Sequence, residues 1–420
     1  MASKKRVLVV SQHFWPESFR INDICDFLLE KDCEIDVLCG LPNYPKGKFY
    51  GGYGYFGKRN EVHNKVKIHR VLEIPRASNT NFRIFLNYVS FPFFSLFHIP
   101  HMLFRKYDKI FIFQTSPVMM GLAGLLLGKL RRTQTTMYVL DLWPENLYSV
   151  IKIKSKFLRK IAAAVSNWHY RRANKLIALS EAMKQQLHSR TKLPDKKILV
   201  LPQACEKVYE QDIEDKKLAK RFAGKFNILF TGSITPAQSF ETVIAAAKKL
   251  KSESLYDINW IIVGDGMSRQ WLEEEVKKAG LDDSFIFEGL VPMADIPKYT
   301  NFADVLIACL VKSELLEATI PAKVLSYFAA GRPIVLAMDG EVRDLVNNDI
   351  KCGLAGPTED AKTLADNIKK IYSMSPAERQ AMGQRGRAYH FKHFERNLIL
   401  NKLYNFMFNT HSRRYKNPKF

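Results

Sequence analysis

Cysteine is scarce in this chain of 420 residues, and its six copies form no recognisable pattern. None of them has the C-x-x-C spacing of zinc sites and dithiol redox motifs, and their separations show no disulfide-like rhythm. They are Cys25, Cys33, Cys39, Cys205, Cys309 and Cys352. The sequence predicts no secretory leader either, because the basic cluster at residues 4–6 runs directly into an apolar strand pattern. Both absences predict a protein of the reducing cytoplasm without a structural metal.

Acidic residues are few in the first half of the chain. Residues 1–200 contain 33 Lys and Arg against 14 Asp and Glu, whereas residues 201–420 contain 31 against 28. The net charge of +22 therefore resides almost entirely in the first half. Such one-sided charge predicts contact with phosphate-rich material, which is anionic lipid, nucleic acid or a polyphosphate ligand.

The first strand-to-helix loop lacks the G-x-G-x-x-G fingerprint, which disfavours a nicotinamide or flavin enzyme. Short apolar runs alternate with helical segments in both halves, a pattern typical of parallel sheets covered by helices. The predicted strands are Lys5–Val10, Glu34–Cys39, Lys67–Val71, Lys109–Phe113, Thr136–Leu140, Lys175–Leu179, Asn227–Phe230, Asn259–Val263, Phe285–Phe287, Val305–Ala308 and Pro333–Leu336, with helices at Ile21–Glu30, Glu241–Lys251 and Ser268–Lys278 among others. The periodicity breaks near Leu201–Glu214. We therefore expect an α/β fold of two Rossmann-like domains, 1–205 and 206–388, whose parallel sheets face a central cleft.

Residues 84–104 contain no Lys, Arg, Asp or Glu. The 21 residues reach the length of a membrane span, but two prolines, two histidines and an asparagine would leave polar groups unpaired in lipid. Three interpretations stay open at this point. The segment is a transmembrane span, an interfacial patch whose basic flanks hold anionic headgroups, or an ordinary buried helix pair.

Two loops of the first half carry polar residues directly after a predicted strand. The loop at residues 11–22 can present backbone N–H groups and an arginine to an anion, although its aromatic residues also suit a core. Asp141 and Glu145 follow the strand Thr136–Leu140. These carboxylates could accept a proton or hold sugar hydroxyls. They could equally be a helix N-cap and a first-turn residue.

The second half offers two further loops. Gly264-Asp265-Gly266 precedes the helix that carries Arg269, where glycine allows a close approach to a ligand or simply a turn. The stretch from Lys312 to Arg332 predicts a helix that starts at Pro321 and stops before Gly331. Its N-terminus suits a pyrophosphate, with Lys312 and Lys323 as counter-charges and Ser326 near a ribose, or it is an amphipathic surface helix.

The chain contains a series of longer motifs in a fixed order: S-Q-H-F-W-P-E-S-F-R-I-N-D (11–23), G-L-P-N-Y-P-K-G (40–47), T-S-P (115–117), L-D-L-W-P-E-N-L (140–147), L-I-A-L-S-E (176–181), V-G-D-G (263–266), A-D-V-L (303–306) and I-P-A-K-V-L-S-Y-F-A-A-G-R-P-I-V (320–335). With these motifs the chain resembles family-4 glycosyltransferases of the GT-B fold. It is most similar to the bacterial subgroup that builds capsule and O-antigen repeat units, which includes L-fucosaminyltransferase-like members.

The resemblance implies that the second domain binds a nucleotide sugar and the first binds the acceptor. Donor contacts would come from Gly232, Ser233, Gly264, Gly266, Thr319, Ile320, Pro321, Lys323 and Ser326. The acceptor side would include Ser11, His13, Trp15, Arg20, Asn43, Ser116 and Glu145. The chemistry would rest on Asp141, Arg269, Lys312 and Glu317. Family members retain the anomeric configuration and need no bound metal, because cationic side chains and a helix dipole stabilise the departing diphosphate.

The same resemblance implies the partners. The donor would be a UDP-sugar, with an N-acetylated amino sugar as one option, and the acceptor a lipid-linked (polyprenyl diphosphate) saccharide. The protein would lie on the cytoplasmic face of the inner membrane, through its basic N-terminal half and residues 84–104, and would bind no nucleic acid. The C-terminal segment 389–420 would cross back to the first domain.

One departure and two rival functions accompany the resemblance. Many family members have E-x7-E around the donor helix, whereas the aligned positions here are Ala318 and Ser326, with Glu317 one residue away. A sugar-nucleotide epimerase of the same fold would share the cleft without needing the basic half. A nucleic-acid binder would use the charge, but the sequence has no recognisable module for it.

Overall fold

The computed structural model describes residues 4–44, 47–77, 81–150, 155–317 and 319–409. Within this part the chain forms two compact units. The first unit runs to Pro202 and is joined by the chain from Leu400 onward, and the second comprises Gln203–Ile399. The predicted boundary after residue 205 lies three residues beyond Pro202.

The first unit is built on eight strands: β1 (Lys5–Val10), β2 (Cys33–Cys39), β3 (Asn60–His63), β4 (Val66–Arg70), β5 (Lys109–Gln114), β6 (Gln134–Val139), β7 (Lys175–Ala178) and β8 (Ile198–Val200). They form one sheet in the order β3-β4-β2-β1-β5-β6-β7-β8. All are parallel except β3, which pairs antiparallel with β4. Since the direction of strand succession reverses beside β1, the loops after β1 and β5 flank the switch point where α/β sheets bind ligands.

The second unit has six strands: β9 (Phe226–Thr231), β10 (Ile258–Val263), β11 (Phe285–Gly289), β12 (Val305–Cys309), β13 (Ile334–Ala337) and β14 (Gly353–Gly356). Their order is β11-β10-β9-β12-β13-β14, and every pairing is parallel. This is the succession of a Rossmann-like sheet, with its switch point between β9 and β12. The predicted α/β class with two such domains is confirmed.

Helices connect the strands of both sheets. In the first unit they are α1 (Arg20–Glu30), α2 (Asn81–Ser95), α3 (Ile99–Leu103), α4 (Leu122–Arg131), α5 (Glu145–Val150), α6 (Lys156–Arg172) and α7 (Glu181–Thr191). In the second they are α8 (Lys216–Arg221), α9 (Phe240–Ser252), α10 (Arg269–Lys278), α11 (Ile296–Phe302), α12 (Glu314–Glu317), α13 (Ala322–Ala330), α14 (Glu341–Asp344), α15 (Ala361–Tyr372) and α16 (Pro376–His393). The last helix, α17 (Arg396–Phe408), carries the chain into the first unit at Leu400.

The apolar runs of the sequence became strands because their side chains fill the two cores. Val7–Val10 in β1 and Ile110–Phe113 in β5 are buried on both faces, as are Ile228–Phe230 in β9. The predicted strands agree with these elements to within two residues at their ends. Sequence reasoning missed β3, β8 and β14, which are edge strands of only three or four residues.

The return of the chain to the first unit starts later than residue 389, where the sequence reading placed it. Phe394 is fully buried in the core of the second unit, and Tyr389 packs against that core. His390 bonds to Glu210 of the same unit (Nε2 to Oε1, 2.9 Å). These contacts hold residues 389–399 in the second unit. Residues 410–420 of the predicted segment lie outside the described residues.

Residues 84–104 form α2, a 3₁₀ turn at Leu96–His98, and α3. The run Phe82–Leu103 is long and apolar enough to cross a membrane, and about a third of it is buried within the protein. Asn87, Phe91 and Ser95 face inward, whereas Phe93 and Phe97 are exposed. An ordinary buried helix pair does not describe this segment, because its outward side is apolar.

Candidate functional site

The loops that follow β9 and β10 lie backbone against backbone at the carboxyl edge of the second sheet. Gly264 has φ +141°, and a Cβ placed on it would lie 1.9 Å from the Gly232 carbonyl oxygen. Only glycine fits there, because any side chain would push the two loops apart. The Ser268 N–H donates to the Ile234 carbonyl (3.1 Å) and fixes the start of α10 against the β9 loop. Gly232 and Ser233 are exposed at the tip, so a ligand can reach their backbone.

Lys323 extends beneath the β9 loop from the first turn of α13. Its Nζ donates to Gln238 Oε1 (2.5 Å) and lies 3.6 Å from the centre of the Phe230 ring. A side chain at Gly232 would meet the Lys323 stem at 3.1 Å, so the ammonium group adjoins the exposed loop. Burial of this ammonium lowers its pKa to about 7. An anion that entered beside it would restore the charged form.

The helix that carries Lys323 begins one residue later than predicted. Pro321 is its N-cap, with extended backbone (ψ 137°), and Ala322 is the first helical residue. Gly331 ends the helix in the left-handed region (φ 68°), as predicted. The first N–H groups of α13 have no acceptor within the helix, and its dipole favours an anion at this end. Thr319 and Ile320 precede the cap and are partly buried.

Ser326 does not present its hydroxyl at the edge of the site. The residue is buried, and its Oγ donates to the Ala322 carbonyl (3.2 Å) of its own helix. The Cys205 thiol lies 3.8 Å from Ser326 Oγ. The expectation that this hydroxyl meets a ribose therefore finds no support in the geometry. The other position of the family pair, Ala318, lies outside the described residues.

Lys312 and Glu317 belong to a polar group at the ends of β12 and β13. Lys312 is exposed, and its backbone N–H donates to Glu359 Oε1 (3.2 Å). Glu317 is partly buried and lines a shallow pocket together with Leu310, Pro321, Asp339 and Thr358. Hydrogen bonds from the Thr358 hydroxyl and N–H lower the pKa of Asp339, and Arg343 and Lys312 add to the effect. This carboxylate therefore stays ionised beside Lys312.

Arg269 opens α10 at the edge of the same set of loops. Its Nε donates to Glu273 Oε1 (2.8 Å), one turn along the helix, and the side chain is about a third exposed (31%). Gly266 lies three residues before it, against the Ile234 carbonyl. The structure thus places Arg269 beside the site but already paired.

In the first unit, His13 belongs to a buried cluster at the end of β1. Its Nδ1 lies 2.9 Å from Glu17 Oε2, and its ring stacks on Phe19 at 4.7 Å. The other Glu17 oxygen accepts the N–H groups of Asn43 (2.7 Å) and Tyr44 (2.6 Å). Ser11, also buried, donates its hydroxyl to the His13 carbonyl (2.7 Å). These bonds tie the loop after β1 to the loop after β2.

Glu73 lies at the centre of this cluster, and sequence reasoning missed it. Its Oε1 accepts from the side-chain amides of Gln12 (2.7 Å), Asn87 (2.5 Å) and Asn43 (3.3 Å), which belong to three separate segments. Its Oε2 fits against Gly40, where a Cβ would lie 1.8 Å away. Burial raises the pKa of Glu73 to about 7, although the neighbouring His13 and the amide bonds oppose the shift.

Asp141 and Ser116 meet at the ends of β5 and β6. The Ser116 hydroxyl donates to Asp141 Oδ2 (2.8 Å) and accepts from Trp143 Nε1 and Asn146 Nδ2, both at 2.9 Å. Burial raises the pKa of Asp141, while the Ser116 bonds and the charge of Arg76 oppose the rise. Since α5 begins at Glu145, Asp141 is not its N-cap. A carboxylate in this position can accept a proton from a hydroxyl group.

The remaining residues predicted for the acceptor side differ in their surroundings. Trp15 is exposed (38%) and stacks on His63 at 3.9 Å, so it is not a core residue. Arg20 begins α1, and its charge opposes the rise that burial causes in the pKa of the Tyr138 hydroxyl. Glu145 is paired with Arg190, which also donates to the Trp143 carbonyl. This ion pair ties the start of α5 to α7.

The structure also shows residues that contact the predicted site residues and that no local sequence pattern predicted. Arg76 contacts the rings of Tyr44 and Tyr88 and donates to Asn87 Oδ1 (3.2 Å), which brings its charge between the His13 cluster and Asp141. Gln238 holds Lys323 across 85 positions of sequence. The sequence showed that polar residues follow the strand ends, but it did not show which of them pair. Among the residues that the structure describes, no group of three or more His, Cys, Asp or Glu side chains could hold a metal ion.

Comparison with known proteins finds relatives over most of the chain. It is 28% identical to the 2-deoxystreptamine glucosyltransferase of Streptomyces kanamyceticus over 231 residues, which is 54% of this chain and 58% of that protein. It is 23% identical over 348 residues to WcaI of Escherichia coli (strain K12), named provisionally as a colanic acid biosynthesis glycosyl transferase, with 80% and 83% of the two chains covered. The chain thus spans just over half the length of the first of these relatives.

Solved structures share the fold at low identity. Anabaena Alr3699/HepE in complex with UDP and glucose superposes with a TM-score of 0.68 and 14% identity, over 96% of this chain and 99% of that one. Two family models also match, the Glycosyltransferase Family 4 model over residues 20–206 and the Glycosyl transferases group 1 model over residues 211–389. The chain therefore belongs to the family-4 glycosyltransferases of the GT-B fold.

Proposed function

We propose that the protein transfers a sugar, with retention of anomeric configuration, from a nucleotide diphosphate donor to a lipid-linked saccharide during assembly of a bacterial surface polysaccharide. Lys323 carries the donor half of this proposal. A partly neutral ammonium beneath an exposed glycine loop, next to a helix N-terminus, gains its charge when a diphosphate binds. The UDP complex of the Anabaena neighbour and the glucosyltransferase relative support the same donor class.

The same residues support metal independence as part of the proposal. Lys323, the N-terminus of α13 and a reoriented Arg269 would stabilise the departing diphosphate without a cation. Lys312 would add charge at the end of β12. On the acceptor side, Asp141 would orient the hydroxyl group that attacks the anomeric carbon, or accept its proton.

The name of the colanic acid relative supports a polysaccharide pathway, and a lipid-linked acceptor would place the enzyme at the cytoplasmic face of the inner membrane. The basic first half and residues 84–104 would contact that surface. On the strength of the motif resemblance, the proposal also includes membership of the capsule and O-antigen subgroup. It includes an N-acetylated amino sugar as the sugar of the donor for the same reason.

The test is a donor screen with purified protein in detergent. UDP-, GDP- and dTDP-sugars are supplied with lipid extract, and the product is followed by mass spectrometry and by NMR of its anomeric proton. Transfer from one nucleotide class, with retention and only in the presence of lipid extract, is expected. Inversion at the sugar 2-position without an acceptor would establish the epimerase instead.

Variants connect this activity to the site. Lys323→Met keeps the length of the stem and removes the charge, and it should lower kcat/KM by about 10²–10³-fold, the usual cost of losing a group that stabilises transition-state charge. Lys278→Met is the matched control, because Lys278 is an exposed lysine of α10. Equal rates in both variants would remove Lys323 from the donor site.

A further inference from the structure

The outward side of α2 and the turn that follows it is an apolar stripe. Phe85, Val89, Phe93 and Phe97 recur every fourth residue, and they are 54%, 38%, 53% and 69% exposed. This spacing places them along one side of the helix. A helix on the surface of a soluble protein normally turns charged residues outward. Here the outward row has none, which indicates a partner surface.

Helix α6 shows the same feature with added charge. Phe157, Ile161 and Trp168 are exposed at helical spacing, and Leu158 is exposed beside them. Every residue from Lys156 to Ile161 is exposed, so this end of the helix projects from the unit. The sequence of α6 contains no acidic residue. Apolar and basic side chains thus share one exposed surface.

The two helices lie on one side of the sheet. Both contact the 3₁₀ turn Val118–Gly121 and the helix α4 that continues from it. Helix α4 itself exposes one large apolar side chain, Leu130. Both helices therefore pack against the same two elements, and we call their exposed residues together the aromatic–basic face.

We infer that the aromatic–basic face binds an anionic lipid bilayer, with the phenylalanines of α2 entering the acyl boundary and Lys156 and Lys160 of α6 contacting phosphate headgroups. Phenylalanine and tryptophan with flanking lysine is the composition of helices that lie in a bilayer interface. The excess of basic over acidic residues in positions 1–200 supplies matching long-range attraction. This lipid contact rests on the proposed function and adds to it that the lysines of α6 contact the anionic headgroups. Binding to the bilayer requires neither donor nor acceptor.

The full-length protein is tested by flotation with vesicles of phosphatidylcholine alone or with 30% phosphatidylglycerol. Strong flotation is expected only with the anionic vesicles, and 0.5 M salt should weaken it, since salt screens exposed charges. Phe93→Ser/Phe97→Ser and Lys156→Glu/Lys160→Glu should each reduce partitioning at least ~10-fold, and their combination more. Matched controls in the second unit are Tyr256→Ser and Lys277→Glu/Lys278→Glu, which change exposed residues in the same way.

Contact of α6 with lipid has its own readout. Brominated lipids should quench the fluorescence of the wild type more than that of Trp168→Phe, because Trp168 lies on the exposed row of α6. Wild-type hydrogen-exchange protection of peptides from β1 and β5 shows that the first unit of each variant is folded. Vesicle binding without transferase activity would overturn only the proposed function.

Three results would overturn the inference. The first is absence of wild-type flotation with anionic vesicles at low salt. The second is flotation of the α6 variant equal to that of wild type, together with no quenching of Trp168. The third is a concentration-dependent dimer that the same substitutions abolish, which would make the face an interface between two copies.

Discussion

Replacing Glu73 with glutamine tests the buried cluster of the first unit most directly. Burial raises the pKa of this carboxyl from its ordinary 4.5 to about 7, so the folded protein keeps a proton that the unfolded chain releases. The unfolding free energy of this unit must therefore fall as the pH rises from 4.5 to 7. Above pH 7 both states are ionised and the loss stays constant.

The magnitude follows from the shift itself. Each pH unit between the two pKa values corresponds to about 1.4 kcal/mol, so the full effect is ~3 kcal/mol. Glutamine cannot ionise, and its oxygen can still accept from Gln12, Asn43 and Asn87. Glu73→Gln should therefore resemble wild type near pH 4.5 and exceed its stability by up to ~3 kcal/mol at pH 8.

Hydrogen exchange of peptides from β1 and β4, read by mass spectrometry, reports the opening free energy of this unit alone. Glu30→Gln, the same change at an exposed position of α1, serves as the control. A difference between Glu73→Gln and wild type that stays constant from pH 4.5 to 8 would refute the reasoning. It would mean that Glu73 ionises in the fold as readily as in the unfolded chain.

Three further predictions concern the two sites. Because burial lowers the pKa of Lys323 to about 7, UDP binding above pH 7 should take up a proton and weaken as the pH rises; calorimetry in two buffers of different ionisation enthalpy measures this, and pH-independent binding would contradict it. Ser116→Ala removes a hydrogen bond that lowers the pKa of Asp141, so the acidic limb of the pH–rate profile should move to higher pH, and an unmoved limb would exclude Asp141 as the base. Gly264→Ala should destabilise the second unit by more than ~2 kcal/mol in urea unfolding, whereas Gly224→Ala, also at positive φ (81°) but with open space around it, should cost about 1 kcal/mol. Equal losses would show that the Gly232 carbonyl does not restrict this position.

The sequence by itself determined the two sheets and the places where the sites form. Parallel strands are buried on both faces, so they appear as unbroken apolar runs such as Lys5–Val10 and Asn259–Val263, which are readable without neighbours. Proline and glycine marked the two ends of α13 because both restrict the backbone locally. Polar residues after strand ends, such as Asp141, indicated the ligand-binding edge for the same local reason.

Tertiary structure decided which of these residues work together. Lys323 bonds to Gln238 across 85 positions, and Glu73 bonds to Gln12 across 61. Such pairs form only when distant segments fold against one another, so no periodicity could predict them. Ser326 was expected to face a ribose, yet it turned inward, because the helix packs that side against Cys205. Whether the phenylalanines of α2 were core or surface was likewise undetermined by the sequence. A core helix and an exposed helix face can have the same apolar spacing in the sequence. Only the position of α2 on the sheet leaves this row exposed.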